Sequence, residues 1–166
     1  MIDSFLLSQI LIGIGFLFAV ASFQFKAREH ILTCFCCMMC LITVHYFILN
    51  QITAAWLHFF ATLRIFVAIF TTDKRFPLFF ATIVVAAFIL TYAKPVDFIV
   101  LISSLIFTLS SFQKTDKKLR QLDFMGANLA LIYNLIIFSP AMVMLEFFII
   151  ASNIIGYYRH YIKEKI

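Results

Sequence analysis

The sequence predicts an all-α integral membrane protein. Seven transmembrane helices are expected, as two parallel three-helix repeats joined by a linker helix. Three observations carry that prediction. The chain is 64% hydrophobic and 13% charged, with 22 Phe among 166 residues. A soluble domain usually carries about 25% charged residues, so this chain lacks the polar groups to cover a water-facing surface. Its apolar residues fall into seven runs close to the roughly 20 residues that a bilayer crossing requires. The basic residues gather at alternate connections between those runs, as the bias of Lys and Arg toward the cytoplasmic side demands.

The runs cover residues 5–23, 30–49, 53–70, 77–93, 96–112, 121–138 and 141–159. They use nearly the whole chain and leave connections of a few residues. The alternating pattern of a transmembrane barrel is absent, so the backbone must satisfy itself within helices.

The start, M-I-D-S-F-L-L, has no basic stretch ahead of its apolar run, which fits an uncleaved first span rather than a signal peptide. Gly13 and Gly15 in that span, and Gly126 and Gly156 later, would allow helices to approach closely. The second span carries C-F-C-C-M-M-C, Cys34 to Cys40, and is expected to use these as small apolar residues. Neighbouring thiols on one helix cannot easily reach disulfide geometry, and no metal or other cofactor is expected. Pro77, Pro95 and Pro140 stand at the starts of spans four, five and seven, where proline is harmless.

Charge fixes the expected topology. Lys26 and Arg28 follow span one, Lys74 and Arg75 follow span three, and Lys114, Lys117, Lys118 and Arg120 follow span five. Arg159, Lys163 and Lys165 close the chain. With seven spans, these eleven of the 13 Lys and Arg lie on one side, Lys94 lies on the other, and Arg64 is left inside span three. A six-span layout would scatter them. The expected protein is therefore multi-pass, with its N-terminus outside and its C-terminus in the cytoplasm. The net charge of +5 reflects topology, and no nucleic-acid partner is implied.

The chain reads as a duplication. S-F-Q at Ser22–Gln24 recurs at Ser111–Gln113, a shift of 89, and each copy closes a span and enters a basic loop. A span, a short uncharged turn and a final span follow in both halves. The same shift places His45 on Asn134 and Arg64 on Asn153. The expected domains are a first three-helix repeat at 1–75, a linker helix at 76–94 and a second repeat at 95–166, related by an axis along the membrane normal.

This layout resembles that of the sugar facilitators (SWEET) and the PnuC vitamin-precursor transporters. The basic loop after span one, H-Y-F at 45–47 and the arginine nineteen residues beyond His45 resemble more closely the YgjV family of bacterial inner-membrane proteins. That resemblance covers most of the chain and implies a fold more than an activity. Two departures set the chain apart from the sugar facilitators. Their Pro-Gln signature is replaced by S-F-Q, and Arg64 stands where one of two central asparagines belongs, while Asn153 keeps the other. A neutral sugar is accordingly a poor fit.

The candidate substrate-binding residues are the polar groups inside spans: Arg64, Asn153, Glu146, His45, Asn134 and Tyr157. A mid-bilayer charge costs roughly 2.5–3.5 kcal/mol on insertion scales. The nine Leu, Ile, Phe and Val residues of span three offset that cost but do not explain the arginine. Glu146 is its expected partner, directly or through water or ligand, at a depth offset of seven residues or about 10 Å. A sealed structural ion pair would be the alternative. Glu146, Asn153 and Tyr157 share one face of span seven, at i, i+7 and i+11. His45 and Asn134 would either line a cavity or join helices by hydrogen bonds. His58 would sit on the outer part of span three, and Trp56, Tyr157, Tyr158 and Tyr161 read as interfacial anchors.

No Walker loop, H-E-x-x-H, G-x-S-x-G or glycine-rich phosphate cradle occurs, so an enzyme is not expected. Two functions remain. One is a small-solute transporter or facilitator with a midplane polar site for a small carboxylate or zwitterion. The other is a non-transporting membrane protein, an assembly partner or sensor. Its partners would be the lipid bilayer and a small polar or anionic solute, with homo-oligomerisation left open.

Overall fold

Seven α-helices and, among the described residues, no strand make up the computed structural model, which describes residues 3–22, 28–71, 73, 75–113 and 115–158. The helices are α1 (Ser4–Ser22), α2 (Arg28–Ile48), α3 (Ile52–Phe70), α4 (Arg75–Thr91), α5 (Asp97–Ser111), α6 (Asp116–Ile136) and α7 (Pro140–Tyr157). Each matches one predicted run. The largest difference is at α6, which starts at Asp116 rather than 121, so Lys117, Lys118 and Arg120 ride on its first turns instead of in a loop. By length and hydropathy, α1 and α3 are long and apolar enough to cross a bilayer; α4, α5 and the apolar stretches Leu32–Ile48 and Pro140–Ile155 are shorter. Lys26, Lys74, Lys114, Arg159, Tyr161, Lys163 and Lys165, on which part of the charge reading rests, lie outside the described residues.

Helix α2 packs between α1 and α3, and α6 packs between α5 and α7. Helix α3 also packs on α5, and α7 on α1, so six helices close a ring and α4 lies against the α3–α5 seam. The interior is filled by Ile12, Met38, Ile42, Leu57, Val100 and Leu145, each at most 3% exposed. The outside is greasy: Leu78 and Phe70 are 75% exposed and Leu90 is 85% exposed. Large apolar surface of this extent is at odds with water and suits lipid.

The α2–α3 and α6–α7 turns share one build. The N–H groups of Asn50 and Gln51 donate to the carbonyls of Phe47 and Tyr46, and those of Phe138 and Ser139 donate to Leu135 and Asn134. Asn50 and Phe138 both take left-handed backbone, φ 56° and 57°, which is the helix-ending motif that satisfies the last carbonyls. Asparagine tolerates this conformation; for Phe138 it is strained. The matching residues stand 88 apart, one fewer than the S-F-Q shift. At this end of the bundle Asn134 is therefore matched by Tyr46 rather than His45, because the interval between S-F-Q and the turn is one residue shorter in the second half.

The seams between the halves are pinned near the same end. Gln9 Oε1 on α1 accepts from the Ala141 N–H at 2.9 Å, and Asp97 Oδ2 on α5 accepts from Thr53 Oγ1 at 3.0 Å. Gln9 and Asp97, and Thr53 and Ala141, are again 88 residues apart. Deeper along the seams the likeness ends. The α1–α7 seam holds Phe16 against Phe148, ring centroids 4.7 Å apart, while the α3–α5 seam holds Arg64 against Ser104 and Thr108.

Candidate functional site

Arg64 is 2% exposed and turned into the bundle. One terminal nitrogen donates to Thr108 Oγ1 at 2.6 Å and to the Ser104 carbonyl at 3.3 Å. Helix geometry explains the placement. Ser104 and Thr108 are four residues apart on one face of α5, and the Thr108 hydroxyl also donates to the Ser104 carbonyl at 2.7 Å. Asp123, on α6, accepts a short hydrogen bond from Ser110 Oγ, further along α5. Arg64 Nε and Ser104 Oγ are buried and find no partner among the described residues.

Glu146 is the predicted partner of Arg64, but no hydrogen bond joins the two. Glu146 is 6% exposed on α7, and its Oε2 has no partner. The Tyr46 hydroxyl donates to Asn134 Oδ1 at 2.7 Å. That bond crosses the ring from α2 to α6. The Tyr46 ring packs against His58 at 4.7 Å and Tyr133 at 6.1 Å. Tyr133 Oη and Asn134 Nδ2 are buried without partners. A second polar cluster thus forms from Tyr46, Tyr133 and Asn134.

His45 is fully buried and joins α2 to α1 and to the α6–α7 turn. Nδ1 donates to the Ser8 carbonyl at 2.9 Å, which fixes the tautomer, and Nε2 then accepts from Ser139 Oγ at 3.0 Å. His58 stays local, with Nδ1 donating to the Ala54 carbonyl at 2.8 Å. The span-seven stripe divides. Asn153 and Tyr157 are half-buried and line a cleft of about 870 Å³ between α6 and α7, whereas Glu146 is buried and does not line it. That cleft also holds Gln113, Lys118, Arg120 and Phe124.

Sequence reasoning thus missed Tyr46, Tyr133, Ser104, Thr108 and Asp123. The serine and threonine were findable as a polar i, i+4 pair in an otherwise apolar run; the tyrosines sit beside residues already selected. Trp56 is 39% exposed amid the rings of Phe47, Phe59 and Phe60. Cys34, Cys36 and Cys37 are half-buried, Cys40 is exposed, and all are free thiols. Of the glycines, Gly13 has nothing within 4 Å of an added Cβ and so serves no close approach, while at Gly126 the Phe107 ring would stand 3.0 Å away.

A ring of apolar helices, with exposed hydrocarbon outside and polar groups enclosed inside, is a fold that suits lipid. A family model described as bacterial inner membrane protein, Imp-YgjV, matches residues 6–164. The chain belongs to that family. No curated protein and no solved structure matches it.

Proposed function

We propose that the chain is a multi-pass inner-membrane transporter or facilitator for a small carboxylate or zwitterion. Its architecture is SWEET-like: residues 1–75 and 95–166 form parallel three-helix repeats and 76–94 the linker, with the N-terminus outside and the C-terminus in the cytoplasm. The shared turn geometry, the paired seam pins and the closed six-helix ring support the repeat reading. The observation that carries the function is Arg64. A fully desolvated guanidinium with an open Nε, beside an open Ser104 Oγ, presents unspent donors for a carboxylate. Each such buried group left unmatched costs about 1–3 kcal/mol, which a ligand would recover. Glu146, Asn134 and Tyr133 offer acceptor and donor groups for the opposite end of a zwitterion, and His45 holds the frame. Asn153 and Tyr157, half-buried toward the basic end of α7, stand apart from these groups.

The alternative, a non-transporting assembly partner or sensor, draws on the tight apolar packing of Ile12, Met38, Leu57 and Leu145. A thermal-shift screen of small carboxylates, amino acids and neutral sugars separates the two. The transporter reading expects a carboxylate or zwitterion to stabilise the purified protein and the shift to vanish in Arg64→Ala. A stabilising ligand that ignores that substitution removes Arg64 from the site.

A further inference from the structure

The cleft between α6 and α7 has a polarity gradient that a solute site does not need. Lys118 and Arg120 lie on the first turns of α6, and Phe124 and Met125 one to two turns further along. From Lys118 to Met125 the helix advances about 10 Å. Across the cleft, α7 runs the other way, with Ile154 beside the apolar part and Tyr157 and Tyr158 near its end. The apolar lining faces outward: Met125 is 55%, Ile154 53% and Tyr158 55% exposed. The cleft is thus a groove on the lipid-facing side, cationic at one end and hydrocarbon along its length, with a volume near 870 Å³.

We propose that this groove binds an anionic phospholipid, independently of any transport. The headgroup phosphate lies against Lys118 and Arg120, with Gln121 and Asn153 as hydrogen-bonding partners, and an acyl chain runs along Phe124, Met125 and Ile154. Charge complementarity selects the anionic headgroup, and basic pockets between helices hold such lipids. The exposed apolar floor selects a tailed ligand over a free anion. It also places a ligand on the outer surface of α6, away from Arg64.

Native mass spectrometry of the full chain, released from detergent after incubation with phosphatidylglycerol or phosphatidylcholine, tests this. Phosphatidylglycerol adducts are expected to exceed phosphatidylcholine adducts. Lys118→Gln with Arg120→Gln should lower their retention by up to about 25-fold, about fivefold per cation. Met125→Trp, which fills the groove without changing charge, should lower it as well. Excess inorganic phosphate should not displace the lipid. Equal retention of the two lipids, indifference to all three substitutions, or displacement by phosphate alone would overturn the proposal.

Discussion

Arg64 on α3 donates to Thr108 on α5 at 2.6 Å, so the buried cation of this bundle rests on a hydroxyl. A hydroxyl returns less of the desolvation cost than a carboxylate does. Burying an ion usually costs several kcal/mol, and replacing it with an apolar side chain of similar size is often neutral or stabilising. Arg64→Met is therefore expected to leave the thermal midpoint unchanged or raised while abolishing stabilisation by carboxylate ligands. A Met variant that loses about 3 kcal/mol or more would instead mark Arg64 as a structural brace.

Tyr46 and Asn134 close the ring near the turns through a single hydrogen bond. Side-chain bonds inside membrane bundles average about 0.6 kcal/mol and reach about 1.7. Tyr46→Phe should cost an amount in that range, and the cost should shrink in an Asn134→Leu background where nothing awaits the hydroxyl. A double-mutant cycle from unfolding in mixed detergent measures this. Additive losses would mean the bond contributes nothing to closure.

Helix number and order were legible in the sequence because apolar runs of span length are a strong signal, and all seven runs became helices. Burial of Arg64, His45, Asn134 and Glu146 was legible too, since a polar group amid hydrocarbon must turn inward. Partners were not. Arg64 finds Ser104 and Thr108 rather than Glu146 because α3 packs on α5 across the seam, and helix adjacency leaves no mark in periodicity. S-F-Q recurs in the sequence at a shift of 89, whereas the two left-handed turn residues stand 88 apart.

Two glycines of α1 and α6 should respond oppositely. A Cβ on Gly126 would meet the Phe107 ring at 3.0–3.1 Å, and the Gly126 carbonyl accepts from Ser103 Oγ at 2.9 Å, so α5 and α6 are in close approach there. Gly126→Leu should cost about 1–3 kcal/mol by overpacking. Gly13→Ala meets nothing within 4 Å and should gain about 0.5–1 kcal/mol from reduced backbone entropy. Thermal midpoints of the two variants check the pair; a destabilised Gly13→Ala would contradict the open surroundings of that site.

The seam pins are alike in place and unequal in strength. Asp97 Oδ2 takes the N–H groups of Ala93 and Lys94 and shares the Thr53 hydroxyl proton with the Thr91 carbonyl, and so ties α3 to the approach into α5. Gln9 Oε1 takes one, from Ala141 N–H. Hydrogen bonds to a charged acceptor contribute about 1.5–3 kcal/mol each at best, and neutral ones about 0.5–1.5. Asp97→Ala should therefore cost at least twice what Gln9→Ala does. Asp97→Asn keeps an oxygen for part of the set and should fall between them. If the halves rock against each other during transport, the stiffer α3–α5 seam holds while the α1–α7 seam yields. A disulfide across α1 and α7 near Gln9 and Ala141 should then arrest uptake, and reduction should restore it. Uptake that is untouched by that crosslink would place the moving seam elsewhere.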